Sequence, residues 1–235
     1  MGLIKAGSMP HSYKITFFGI EIRFRNIFSL KNNRIIVINE KGTQVKKRIK
    51  GLNVKFKGAN ATIKIYSPCP KFSNTIIECG DNVNITIGSS KHRIFNSFFS
   101  VLSENASLNI GNHASIRGAT IIIKENKNLS VDIGNDCLIA SNVKIWTTDF
   151  HTVIDSQTSK AINPPSSIKI GNHCWICEDV TIAKGVYLAD DTIVASKSYV
   201  TKTFDKSNII IGGVPAKIIK DSTTWSSESY DRYNK

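Results

Sequence analysis

A period of six constrains this chain more than any other feature. From Ile170 onward an aliphatic residue recurs at Ile176, Ile182, Leu188, Val194 and Val200. The residue after the aliphatic is small at Gly171, Cys177, Ala183, Ala189 and Ala195. The residue four after it is small or β-branched at Cys174, Val180, Val186, Thr192 and Ser198. Six is neither a helical repeat nor simple strand alternation. It is the length of a short strand plus a tight corner, the hexapeptide unit of a β-helix. Each unit then forms one side of a triangular coil, with the aliphatic side chain pointing inward onto its copies in adjacent coils. A single coil cannot bury its apolar side, so stacked neighbours must supply the core.

The rule extends upstream through Ile133, Ile139 and Ile145, and through Ile110, Ile116 and Ile122. Apolar-x-apolar pairs ending at Ile65, Ile87, Ile110, Ile133 and Ile170 are spaced by 22, 23, 23 and 37 residues. A bare coil needs 18 residues, so the last step carries a large excursion, roughly Phe150 to Ser167. A loop of that length in a regular solenoid points to function. The expected fold is all-β: a parallel β-helix of hexapeptide repeats with an N-terminal β cap and one long loop. Residues 1–50 are read as cap and strands, with alternation at Ile20, Ile22 and Phe24 and at Ile35 and Val37. Residues 51–205 form the helix with loop 150–167, and residues 206–235 a C-terminal segment and tail. Residues 1–9 look unstructured, and the polar tail from Asp221 reads as a short helix or disorder.

Composition bounds the function. The 235 residues are 41% hydrophobic and 21% charged, an ordinary globular balance. No run of 18 apolar residues suggests a membrane span, and Lys14, Glu21, Arg23 and Arg25 interrupt any secretory core, so a cytoplasmic protein is expected. The formal charge of +13 favours anionic partners. Lysines and arginines recur through Lys46, Lys47, Arg48, Lys50, Lys55, Lys57 and Lys64, often alternating with apolar residues, and no nucleic-acid-binding motif accompanies them. Nucleic acid is therefore not expected as the partner. Five cysteines argue against a disulfide framework. Cys174-x-x-Cys177 could be half a zinc site or a redox pair, but both cysteines already occupy small positions of the repeat.

Several ordered strings between Ile133 and Lys220 carry a resemblance. They are Asp149-Phe150-His151-Thr152-Val153-Ile154-Asp155, Ile162-Asn163-Pro164-Pro165, Ile168-Lys169-Ile170-Gly171-Asn172-His173-Cys174-Trp175-Ile176, and Gly213-Val214-Pro215-Ala216-Lys217-Ile218-Ile219-Lys220. This region resembles the hexapeptide-repeat acetyltransferases, above all the bacterial sialic acid, capsule and lipopolysaccharide O-acetyltransferases. The resemblance implies the left-handed winding, acetyl-CoA as co-substrate, no metal, and a homotrimer with active sites between subunits.

Moving an acetyl group from a thioester to a sugar hydroxyl needs a base for the hydroxyl proton and donors for the oxyanion. Of His11, His92, His113, His151 and His173, only His151 opens the excursion and matches the family's catalytic histidine. His113 and His173 fall in matching Ile-Gly-Asn-His strings and read as solvent-facing repeat positions. Asp149 or Asp155 is a candidate to orient His151. By resemblance, Trp175 lines the site, and the backbone N–H groups around Cys177 and Glu178 supply the oxyanion contact. Coenzyme A would run along Ala183, Ala195 and Ser196, with Lys202, Pro215, Lys217 and Lys220 near its phosphates. Lys217 and Lys220 would act there as point charges.

Three rivals use the same scaffold. N-acetylation of a nucleotide-linked amino sugar usually comes with an N-terminal nucleotide-binding βαβ unit, and no Gly-rich loop follows an early strand here. Metal-dependent hydration would need a close histidine pair, which the sequence lacks. A non-catalytic structural β-helix needs neither a long histidine-bearing loop nor a Pro-Ala-Lys terminus.

Overall fold

The computed structural model describes residues 12–17, 20–25, 32–46 and 48–234. The reading of residues 1–9, and the positions of His11 and Lys47, lie outside them. The chain divides at Asn32/Asn33 into two units. In the first, Ser12–Phe17 and Ile20–Arg25 form an antiparallel hairpin. The second is a left-handed parallel β-helix.

Its coils have three faces. On the first, strands Arg34–Asn39, Thr62–Tyr66, Asn84–Ile87, Ser107–Ile110, Ser130–Ile133, Ile168–Ile170 and Tyr187–Leu188 pair in parallel. The parallel ladder thus begins at Arg34, before residue 51. The second face runs from the first half of Lys71–Cys79 through Arg93–Val101, Ser115–Ile116, Leu138–Ile139, Trp175–Ile176 and Ile193–Val194 to Ile210–Gly213. The third carries Leu52–Phe56, the second halves of the two nine-residue strands, Ala119–Ile123, Val143–Trp146, Thr181–Ile182 and Tyr199–Val200.

Register places like on like. Ile65, Ile87, Ile110, Ile133, Ile170 and Leu188 form one continuous row. Ile116, Ile139, Ile176, Val194 and Ile211 form the second. Phe99, Ile121, Ile145, Ile182 and Val200 form the third, and every residue of the three rows is buried. Each such side chain contributes roughly 1.5–3 kcal/mol of burial. One sequence expectation is corrected here. Ile121, not Ile122, holds the inward position, because the strand after Ile116 arrives one residue early; Ile122 faces outward opposite Trp146.

The Ile-Gly-Asn strings build a corner. The N–H of Asn112 donates to Asn135 Oδ1 at 2.8 Å, Asn135 to Asn172 Oδ1 at 2.9 Å, and Asn172 to Asp190 Oδ1 at 2.7 Å. This side-chain ladder satisfies backbone donors that the turning chain withdraws from the strands. The glycine is steric: a Cβ on Gly134 would lie 2.5 Å from Gly171 O. The next residue takes a left-handed conformation at His113, Asp136, His173 and Asp191. At that corner Cys174 is fully buried and stacks beside Cys137, whereas Cys177 is half-buried on the outer side. The C-x-x-C is therefore repeat structure.

After Ile210–Gly213 the chain turns back as the antiparallel strand Ala216–Lys220. The tail docks along the coils: Thr223 N–H donates to Asn208 O at 2.9 Å, and among its described residues only Tyr230–Tyr233 is helical. Its anchor is Trp225, whose ring stacks on His173 at 4.6 Å and whose Nε1 donates to His173 O at 2.7 Å. The tail thus half-covers His173, which keeps a partly exposed ring, while His113 stays exposed.

Candidate active site

The excursion spans residues 147–167, between the third-face strand Val143–Trp146 and the first-face strand Ile168–Ile170. Its neck closes where Ser166 N–H donates to Thr147 O at 2.9 Å. Its tip is a small hairpin with an Ile154–Ala161 bridge. At its base Phe150 has a positive φ and meets Trp146 edge-on at 5.2 Å.

His151 leads into this loop, and Asn163 fixes it there. The Asn163 amide donates to His151 O at 2.9 Å and to Asp149 Oδ2 at 2.9 Å, while its Oδ1 accepts from Val153 N–H at 2.6 Å. Lys184, from the following coil, places Nζ 2.5 Å from Asp149 Oδ2 and 2.8 Å from Asn163 O. The Lys184 contact first, then Asn163, holds the Asp149 carboxyl below the usual carboxylate range. The two loop strands and the coil body are thus tied at one point. Asn163 and Lys184 had no assigned role in the sequence reading, although Asn163 stands in one of its motifs.

The two candidate orienting carboxylates have separate jobs. Asp149 bonds the hub, and no hydrogen bond joins it to the His151 ring among the described residues. Asp155 closes the hairpin turn, accepting from Gln157 N–H, Thr158 N–H and Thr158 Oγ1 at 3.0, 2.7 and 2.8 Å. Bonds from Thr158 chiefly hold its carboxyl below the usual range.

Trp175 starts the second-face strand Trp175–Ile176, half-buried and 5.9 Å from Trp225. The loop leaves at the corner between the third and first faces, opposite that side of the triangle. Cys177 N–H donates to Val194 O at 3.0 Å and is engaged in the coil, whereas Glu178 N–H has no acceptor among the described residues. Likewise Ala183 and Ala195 N–H donate to Val200 O and Ile211 O at 2.9 and 2.8 Å, leaving Ser196 N–H without an acceptor among the described residues. Lys202, Pro215, Lys217 and Lys220 are exposed on the C-terminal coils, with Lys202 Nζ over the Phe204 ring at 5.5 Å. Among the described residues no cluster of His, Cys, Asp and Glu could hold a metal ion. No helix among them is long and apolar enough to cross a membrane.

No family model matches the sequence. The chain is 31% identical over 173 residues to a polysialic acid O-acetyltransferase of Neisseria meningitidis, covering 74% of this chain and 79% of the relative. It is 30% identical over 126 residues to a polysialic acid O-acetyltransferase of Escherichia coli O1:K1, covering 54% of this chain and 40% of that one. Two solved structures share the fold. The polySia-specific acetyltransferase NeuO superposes with TM-score 0.61 at 22% identity, over 85% of this chain and 80% of its own. The polysialic acid O-acetyltransferase OatWY gives 0.52 at 23%, over 85% and 90%.

Proposed function

The chain belongs to the hexapeptide-repeat acetyltransferases, and from that premise we propose that it moves an acetyl group from acetyl-CoA to a hydroxyl of an anionic, sialic-acid-type glycan. The observation that carries this reading is the pinned loop. Asn163, Asp149 and Lys184 fix the backbone that presents His151, at the one coil step that carries a long excursion.

His151 removes the acceptor proton as the hydroxyl oxygen attacks the thioester carbonyl. Glu178 N–H donates to the oxyanion as the tetrahedral intermediate forms. Collapse breaks the C–S bond, and the imidazolium returns the proton to the CoA sulfur. Ser196 N–H and the ammonium groups of Lys202, Lys217 and Lys220 hold the donor along the C-terminal coils.

The His151 loop leaves at the corner opposite the face that carries Trp175, which favours a site built from two subunits. A homotrimer, with His151 of one chain meeting Trp175 of the next, answers that geometry. The test is acetyl-CoA turnover against sialic acid polymers, neutral hexosides and nucleotide amino sugars. Transfer to sialyl hydroxyls supports the reading; an amine-only acceptor profile overturns it.

A further inference from the structure

The positive charge is confined to one end of the sequence. Residues 33–101 carry twelve Lys and Arg against three Asp and Glu, while residues 102–235 carry fourteen of each. The half that holds His151, Trp175 and the donor-side lysines is formally neutral. The early coils are strongly basic, although nothing in the transfer chemistry uses them.

Part of this charge lies in line with the candidate site. On the outer side of the second face, Lys71, Arg93, Ser115, Leu138 and Trp175 occupy one continuous register row. At ~4.8 Å per strand, Lys71 stands about 19 Å up the helix from Trp175. The row borders two concavities. One of 420 Å³ is walled by Arg117, His113, His92 and Trp225, and one of 260 Å³ by Lys71, Arg93 and Phe95. Lys71, Arg93 and Arg117 are exposed, and among the described residues none pairs with a carboxylate. The acid bordering this stretch, Asp136, is already bonded to His113 Nδ1 at 3.0 Å. Cations beside aromatic walls suit a polymer of carboxylate-bearing sugars, with charge for the carboxylates and ring faces for the apolar sides of the sugars.

We infer that this row, with Arg117 beside it, is an extended acceptor track, which binds a polyanionic glycan over several sugar units upstream of the unit being acetylated. The inference rests on the proposed acetyl transfer. Donor contacts occupy coils C-terminal to Trp175, so the acceptor enters from the opposite direction, along Lys71, Arg93 and Arg117. The track makes affinity grow with acceptor length, because each added unit meets further cations.

The test measures binding of labelled polysialic acid and of a sialic acid tetramer to the full chain without acetyl-CoA. A parallel assay measures transfer with acetyl-CoA. The wild type should hold the polymer more tightly than the tetramer, with a steep loss in salt. The triple variant Lys71→Gln, Arg93→Gln, Arg117→Gln, checked for fold by circular dichroism, should weaken polymer binding about tenfold and flatten its salt dependence. A control of equal charge loss off this face, Lys124→Gln, Lys127→Gln, Lys206→Gln, should leave polymer binding unchanged. The track is overturned if both triples weaken binding equally, if the first triple binds like wild type, or if duplex DNA or phosphatidylserine vesicles bind more tightly than polysialic acid at equal salt. Polymer binding by the wild type without any acetyl transfer would sink the transfer reading and leave the track standing.

Discussion

Asn163 is the residue through which the loop's chemistry depends on its architecture. It bonds the backbone of His151 and the carboxylate of Asp149 at once. Asn163→Ala should lower kcat by more than about tenfold while CoA affinity holds, since a small displacement of a catalytic group costs rate rather than ground-state binding. Stopped transfer assays beside CoA titration separate the two. His151→Ala is expected to keep CoA binding and lose at least about 100-fold in transfer; near-full activity would remove it as the base. Asp149 adds a pH signature. Its carboxyl titrates lower in the folded chain than in the unfolded one, so its stabilisation is present above the unfolded value and fades as pH falls through the folded value. Hydrogen-exchange protection of residues 150–167, corrected for intrinsic rates, should stay flat from neutral pH down to about 4 and fall below it. Asp149→Asn should lower protection across that whole range. Neither Lys184 nor the separate duties of Asp149 and Asp155 were legible in the sequence. Both carboxylates flank His151 closely in the chain, and only the folded loop shows that one reaches Lys184 from the next coil while the other caps its own turn.

At the scale of elements, the six-residue period was legible wherever the corners are bare, from Ile170 to Val200. It misled where a corner is irregular. Counting by six reaches Ile122, yet Ile121 pairs with Phe99 and Ile145 in the buried row. A run of three isoleucines makes each register equally plausible from composition, and only pairing with neighbouring coils decides. Ile121→Ala should therefore cost about 2–5 kcal/mol, against less than about 1 kcal/mol for the outward Ile122→Ala. Urea denaturation of the two variants measures this, and equal costs would contradict the register. The docking of the tail was not legible for a different reason, although its short helix, Tyr230–Tyr233, was among the expectations. Its polar composition hides one anchor, Trp225, whose partner His173 lies 52 residues away in sequence and offers no local signal.

For the whole molecule the unresolved need is cover. Val214, Ile219 and Ile218 are 73%, 63% and 48% exposed on the C-terminal hairpin, which is apolar surface a second chain would bury. The same coils carry Trp175 on the second face, while its own His151 loop leaves at the opposite corner of the triangle. Both facts are met if each site takes His151 from one subunit and Trp175 from its neighbour. Complementation tests this directly. His151→Ala and Trp175→Ala proteins, each inactive alone, are unfolded together in equal amounts and refolded as mixed oligomers. If the site is shared, a chain with intact His151 faces a chain with intact Trp175 at some interfaces, and random mixing restores about a quarter of wild-type activity. If both residues act within one chain, every site in the mixture lacks one of them and no activity returns. Light scattering on the same samples should find no folded monomer at micromolar concentration. A monomeric, fully active wild type would sink the shared site outright.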